Sequence, residues 1–122
     1  MEEKIYALLR LGDGAAEKLD RLSKRMQRIA SYAFGDTRMQ MQAILKITEK
    51  KRRLENALYY REKLLAGLTE EETALLLLRA HGVSSEKAKE GRGYSARSVR
   101  RKTVAAEKTA ANILYLLGYD AI

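Results

Sequence analysis

Cysteine is absent from the chain, which excludes disulfides, thiolate metal sites and cysteine nucleophiles, and fits a reducing compartment. Proline and tryptophan are absent too, and aromatic residues make up only 7%. A chain this poor in turn formers and strand formers, and rich in Ala, Leu, Lys, Arg and Glu, reads as all-α. A single histidine, His81, is too few for a histidine metal site, and no cofactor motif is present. The Gly91 to Gly93 stretch lacks the Gly-Lys-Ser/Thr ending of a phosphate loop and follows a helix rather than a strand. No apolar run approaches the roughly 20 residues of a membrane helix. The opening MEEKIYALLRLGDG is acidic where a secretory leader is basic, so the reading is a soluble, cytoplasmic protein.

What the chain has in quantity is positive charge. Over 122 residues it carries a formal +8, with a pI near 9.8, a balance that favours polyanionic partners. Nothing in the arrangement of acids and nucleophiles points to an enzyme. Glu70, Glu71 and Glu72 sit where a helix begins and complement its dipole. His81 falls at a helix end, where it can bond a free carbonyl.

Apolar spacing predicts a succession of helices. Ile5, Leu8 and Leu9 mark a short helix over 2–11 that Gly12 ends. Asp13 is positioned to cap a second, whose Leu19, Leu22, Met26, Ile29 and Ala33 form a narrow seam wanting a partner. After the breaker Phe34-Gly35-Asp36-Thr37, a long helix over 38–66 carries Met41, Ile44, Ile47, Leu54, Leu58 and Leu65 on one stripe. Lys51 and Arg61 interrupt that stripe and are expected to snorkel to water. The short connection between two seamed helices predicts an antiparallel helical hairpin. On its exposed side EKKRR, residues 49–53, reads first as a solvated helix face and second as a nucleic-acid contact.

Beyond Gly67, Thr69 followed by Glu72 has the spacing of a capping box, and Leu75 to Leu78 form an apolar turn suited to a buried helix. Ser84 starts a short basic helix, Gly93 can take the positive φ of a tight turn, and Ser95 can cap a last helix running to Leu117. In that helix Val99, Thr103, Ala106, Ala110, Ile113, Leu114 and Leu117 share one side, leaving Arg97, Arg100, Arg101 and Lys108 on another. Tyr115, Leu116, Leu117 and Tyr119 offer an apolar surface for a dimer.

The order LTEEE, apolar helix, AHGVS, short helix, GYS, ARSVRR resembles the four-helix form of the helix-turn-helix in region four of bacterial sigma factors and in LuxR-type response regulators. It is most similar to small sigma-like regulators of phages and integrative elements. The resemblance covers about 68–114. It implies that Gly93 makes the turn, Tyr94 packs beneath it, Ser95 caps the recognition helix and Val99 locks that helix to its neighbour. It departs from the family pattern at Ala88, where the families place a bulky aliphatic residue, at Lys89, where they place a small buried one, and at Arg92, where they place a leucine.

Together these readings give an N-terminal antiparallel helical hairpin over 1–67, serving as a dimerisation or partner-binding arm, followed by a sigma/LuxR-like helix-turn-helix domain over 68–122. The function expected is a DNA-binding transcription regulator whose recognition helix, about 95–108, docks in the major groove of double-stranded DNA as a homodimer. Core RNA polymerase is the further partner the resemblance implies. Arg97 and Arg100 are placed near base edges, with Arg101, Lys102, Lys87 and Lys89 towards phosphates and Ser95, Ser98 and Lys108 completing the surface. The alternative is a helical protein-binding adaptor or anti-activator with a degenerate motif, suggested by the polar Lys89 and Arg92. An RNA-binding helical module also fits the charge but lacks exposed aromatics at a stacking spacing.

Overall fold

Polar residues that end or start helices set the boundaries in the computed structural model of the chain, which describes residues 2–12, 14–31, 36–90 and 93–119. Six helices follow in order, with no strand among the described residues: α1 (Glu2–Arg10), α2 (Ala15–Ser31), α3 (Thr37–Gly67), α4 (Glu70–Ala80), α5 (Ser85–Ala88) and α6 (Ala96–Leu116). Asp36 accepts from the Arg38 amide at 2.9 Å and opens α3. Thr69 and Glu72 form the reciprocal capping box at the start of α4, with bonds of 3.1 and 2.9 Å. Ser84 and Ser95 cap α5 and α6 one way only, their side chains accepting from the Lys87 and Ser98 amides. Asp13, Ala33, Phe34, Gly35, Gly91 and Arg92, all named in the reading of the sequence, lie outside the described residues.

The main core joins four helices. Ile5, Leu8 and Leu9 of α1, Leu64 of α3, Leu76 and Ala80 of α4, and Ala106, Ala110 and Leu114 of α6 form one buried cluster. It takes side chains from both sides of residue 67. Polar contacts hold α1 into it. The Tyr6 hydroxyl donates to the Glu107 carboxylate of α6, and Arg10 Nε donates to the Ala80 carbonyl at the end of α4, 2.8 Å away. Small residues at Ala106 and Ala110, both fully buried, let α6 lie close against its neighbours.

α3 is the element that reaches furthest. Its 31 residues extend roughly 46 Å at the usual 1.5 Å rise, so its second half enters the main core while its first half packs along α2. Gln40 Nε2 donates to the Ile29 carbonyl at 2.6 Å, and the Thr48 hydroxyl points at Met26 Sδ at 3.8 Å. As α2 advances from Met26 to Ile29, its partners on α3 retreat from Thr48 to Gln40, so the two run in opposite directions. Leu19, Leu22, Met26 and Ile29 are half-buried against α3, and Ile47 is buried.

The stripe on α3 differs from expectation at both ends. Met41 is exposed because Gln40, one residue earlier, turns inward to the Ile29 carbonyl. Near the C-terminus Leu64, not Leu65, is the fully buried leucine. Arg61 does not simply snorkel to water: its Nε donates to the Leu9 carbonyl at the end of α1, 3.3 Å away. The guanidinium crosses above Gly12, where a Cβ would collide with it, so a side chain at that position would push the arginine aside.

Candidate nucleic-acid interface

The second, smaller core carries the turn between α5 and α6. Leu75, Ala88 and Val99 are buried together, with Leu78, Val83 and Tyr94 packed against them. Ala88 is small where the resemblance implies a bulky residue. The gap left beside Ala88 and Val99 is nevertheless only about 10 Å³, because Val83 and Leu78 fill in. Gly93 takes φ +71°, a left-handed conformation costly for any residue with a Cβ, and Ser95 then caps α6 by accepting from the Ser98 amide at 3.2 Å.

The first turns of α6 separate buried from exposed side chains. Ala96, Val99 and Thr103 are buried, and the Thr103 hydroxyl is satisfied by the Val99 carbonyl at 2.8 Å. Arg97, Arg100, Arg101 and Lys108 are exposed. Arg97, Arg101 and Lys108 recur at spacings of four and seven, a single row of roughly 16 Å on one side of the helix. Val104 lies in that row between Arg101 and Lys108 and is itself exposed. Sequence reasoning misses it, since an isolated valine on a polar face carries no charge signal.

The remaining candidate residues have internal engagements. Lys102 forms an ion pair with Glu71 of α4 at 3.0 Å, and its ammonium lies 4.1 Å from the centroid of the Tyr94 ring. The Tyr94 hydroxyl donates to the same Glu71 oxygen at 2.9 Å. The hydrogen bond to Glu71 first, and the Tyr94 side chain second, hold the Lys102 ammonium above the usual lysine range. Lys102 therefore ties α4, the turn and α6 together. Spacing alone assigns Glu71 only a dipole role, and the resemblance gives Tyr94 only a packing role. The pairing of Lys102 with Glu71 spans 31 positions and has no local signature in the sequence.

On α5, Lys89 is exposed and paired with Glu86 at 2.9 Å. That hydrogen bond and the accompanying charge pull the Glu86 carboxyl below its ordinary range, and Arg100 of α6 adds to the pull. Lys87 is exposed, its backbone amide donating to the Ser84 cap. Ser95 is exposed, with its hydroxyl also donating to Ser98 Oγ at 3.2 Å. His81 is exposed at the end of α4, its Nδ1 donating to the Leu77 carbonyl at 2.7 Å. Among the described residues, no group of three or more His, Cys, Asp or Glu side chains could hold a metal ion, and no helix is long and apolar enough to cross a membrane.

The surface thus has a row of exposed arginines at the start of a long helix, beside a capped turn and a short flanking helix whose cations are partly neutralised. Comparison of the chain with protein-family models, curated proteins and solved structures found no match.

Proposed function

We propose that the protein is a DNA-binding transcription regulator that lays the N-terminal half of α6 in the major groove, in the manner of sigma region four. The observation that carries this reading is the exposed row Arg97, Arg100, Arg101 at the capped start of α6, with Ala96, Val99 and Thr103 buried behind it. Arginine in the first turns of such a helix can pair bidentately with guanine O6 and N7, and an exposed Val104 can meet a thymine methyl. Lys87 on α5 and Lys108 further along α6 are placed for phosphates. Lys102 is assigned to positioning, because it already bridges Glu71 and Tyr94. The helical hairpin of this reading is α2 with the first half of α3, and core RNA polymerase is the second partner, on the resemblance alone.

The dimer in this reading uses the end of α6. Tyr115 and Leu116 are 78% and 83% exposed, whereas Tyr119 is turned inward, its ring 4.8 Å from that of Tyr60. The adaptor reading draws support from a different place: Met39, Met41 and Leu45 stand exposed along the first half of α3. Titration of a duplex with the wild type, Arg100→Ala and Arg101→Ala at several salt concentrations tests the regulator reading. Weaker binding and a shallower salt dependence in both variants support it; unchanged affinity with no salt slope sinks it.

A further inference from the structure

The recognition helix accounts for only part of the charge. Between residues 17 and 53 the chain has eleven Lys and Arg against four Asp and Glu, a surplus of seven in a protein whose total is +8. Most of this surplus lies on α2 and the first half of α3.

Six of the eleven cations share one face. In α2 the residues against α3 are Leu19, Leu22, Met26 and Ile29. Lys18, Arg21, Arg25 and Arg28 each precede one of them by a single position. In α3, Lys46 and Lys50 likewise precede the inward-facing Ile47 and the half-buried Lys51. One position is a rotation of about 100° around a helix. Because the helices run in opposite directions, the same rotation from the shared seam carries both rows to the same side of the pair.

All six of these cations are exposed, and none is in an ion pair with a described residue. Two of the nearby acids are used elsewhere, Asp20 pairing with Lys24 at 3.0 Å and Glu49 with Arg53 at 2.7 Å, while Glu17 stands at the start of the α2 row, four positions before Arg21. The α2 row extends roughly 15 Å, with the α3 row about 8–10 Å beside it. One strand of a duplex places about four phosphate charges along that length. Like charges held this close on two packed helices repel one another, and a row of phosphates relieves that repulsion while releasing its counterions.

We infer that this face of α2 and α3 is a second DNA-binding surface, gripping the duplex through its phosphates and independent of the base sequence. It shares the premise that duplex DNA is the ligand, but it does not depend on α6 being the reading helix. An amphipathic membrane contact would need a broad apolar face among the exposed cations; here the seam is covered by the partner helix, and Met39, seven positions before Lys46, gives the row a single exposed apolar side chain rather than a face.

The experiment is fluorescence anisotropy of the full chain with a mixed-sequence duplex across a salt series. Three variants are compared, each checked by circular dichroism for unchanged helix content. The first replaces Arg21, Arg25, Lys46 and Lys50 by Gln. The second removes the same charge elsewhere, through Lys4→Gln, Lys24→Gln, Arg52→Gln and Lys63→Gln. The third is Arg97→Gln with Arg100→Gln and Arg101→Gln. Every phosphate that a variant no longer neutralises should flatten the salt slope by about 0.9. The first variant is expected to lose about 2–4 units of slope and at least tenfold in affinity at low salt, the second under one unit. An equal loss in the first two shows a mere net-charge effect and overturns the inference. So does a wild type that does not bind duplex. An unchanged slope in the first variant, with lost binding to polyglutamate, assigns the face to an acidic protein and also overturns it. If the third variant alone matches the wild type, the reading of α6 fails while the second surface stands.

Discussion

Tyr6→Phe is the substitution that most sharply probes how the two ends of the chain are joined. The Tyr6 hydroxyl reaches the Glu107 carboxylate, 101 positions away, and both residues are buried. Removing the hydroxyl deletes a hydrogen bond to a buried charged group, an interaction typically worth about 1.5–3 kcal/mol. For 122 residues the entropy of unfolding is about 0.26 kcal/mol/K, so the midpoint should fall by about 6–12 °C. Replacing Glu107 by Leu in the Tyr6→Phe background removes the stranded carboxylate and should restore part of the loss. The full cycle, measured by thermal and urea unfolding followed by circular dichroism, should give a coupling of about 1 kcal/mol or more. A Tyr6→Phe protein within about 0.5 kcal/mol of wild type, the range of an ordinary surface change, with no coupling, would refute the docking of α1 on α6.

The same pair has a signature in alkali. Burial first, then the bond to Glu107 and its charge, hold the Tyr6 hydroxyl well above the ordinary phenol range. A group raised in the folded state stabilises fully below its unfolded value, about 10 for tyrosine, and that contribution is lost as pH rises beyond it. Stability of the wild type should therefore fall more steeply than that of Tyr6→Phe above about pH 10, as read from urea midpoints; parallel curves would refute this. Thr69→Ala removes one arm of the α4 capping box and should cost about 1 kcal/mol in urea unfolding, with no effect if the box were idle. Gly93→Ala forces a Cβ into the left-handed conformation at φ +71° and should cost about 1–2 kcal/mol, and under the proposed function it should also weaken binding to duplex DNA. An unchanged stability there would remove the argument for the turn.

Much of the architecture was legible because it is written in local signals. Thr69 with Glu72, Ser84, Ser95 and Gly93 each announce a boundary within three or four residues, and each lies at one. The buried side of α6, from Val99 to Leu114, follows from a 3.6-residue period that a single helix cannot conceal. The errors lie where a local period meets a distant partner. Met41 fits the stripe of α3, but Gln40 takes the inward position because the Ile29 carbonyl draws it in; Leu65 does pack against the main core, with Leu64 beside it the more deeply buried. Arg61 reads as an interruption of the stripe, yet it donates to the free Leu9 carbonyl, which no pattern within α3 could reveal.

The candidate interface was legible to the same degree. Arg97, Arg100 and Arg101 were separable from the core by spacing alone, and the structure leaves them exposed. Lys102 was not separable from them, since its partners Glu71 and Tyr94 come from other parts of the chain. The alignment of cations along α2 and α3 was equally hidden. Each row is visible in its own helix, but their common side follows only once the direction of packing is known.

The most direct test of DNA recognition by α6 is a titration of the isotopically labelled protein with duplex DNA, following each backbone amide by NMR. The account predicts the largest changes at Gly93, Ser95, Arg97, Ser98, Arg100 and Arg101, with smaller changes along α2 and α3. Saturable binding that leaves the first turns of α6 unmoved would contradict it.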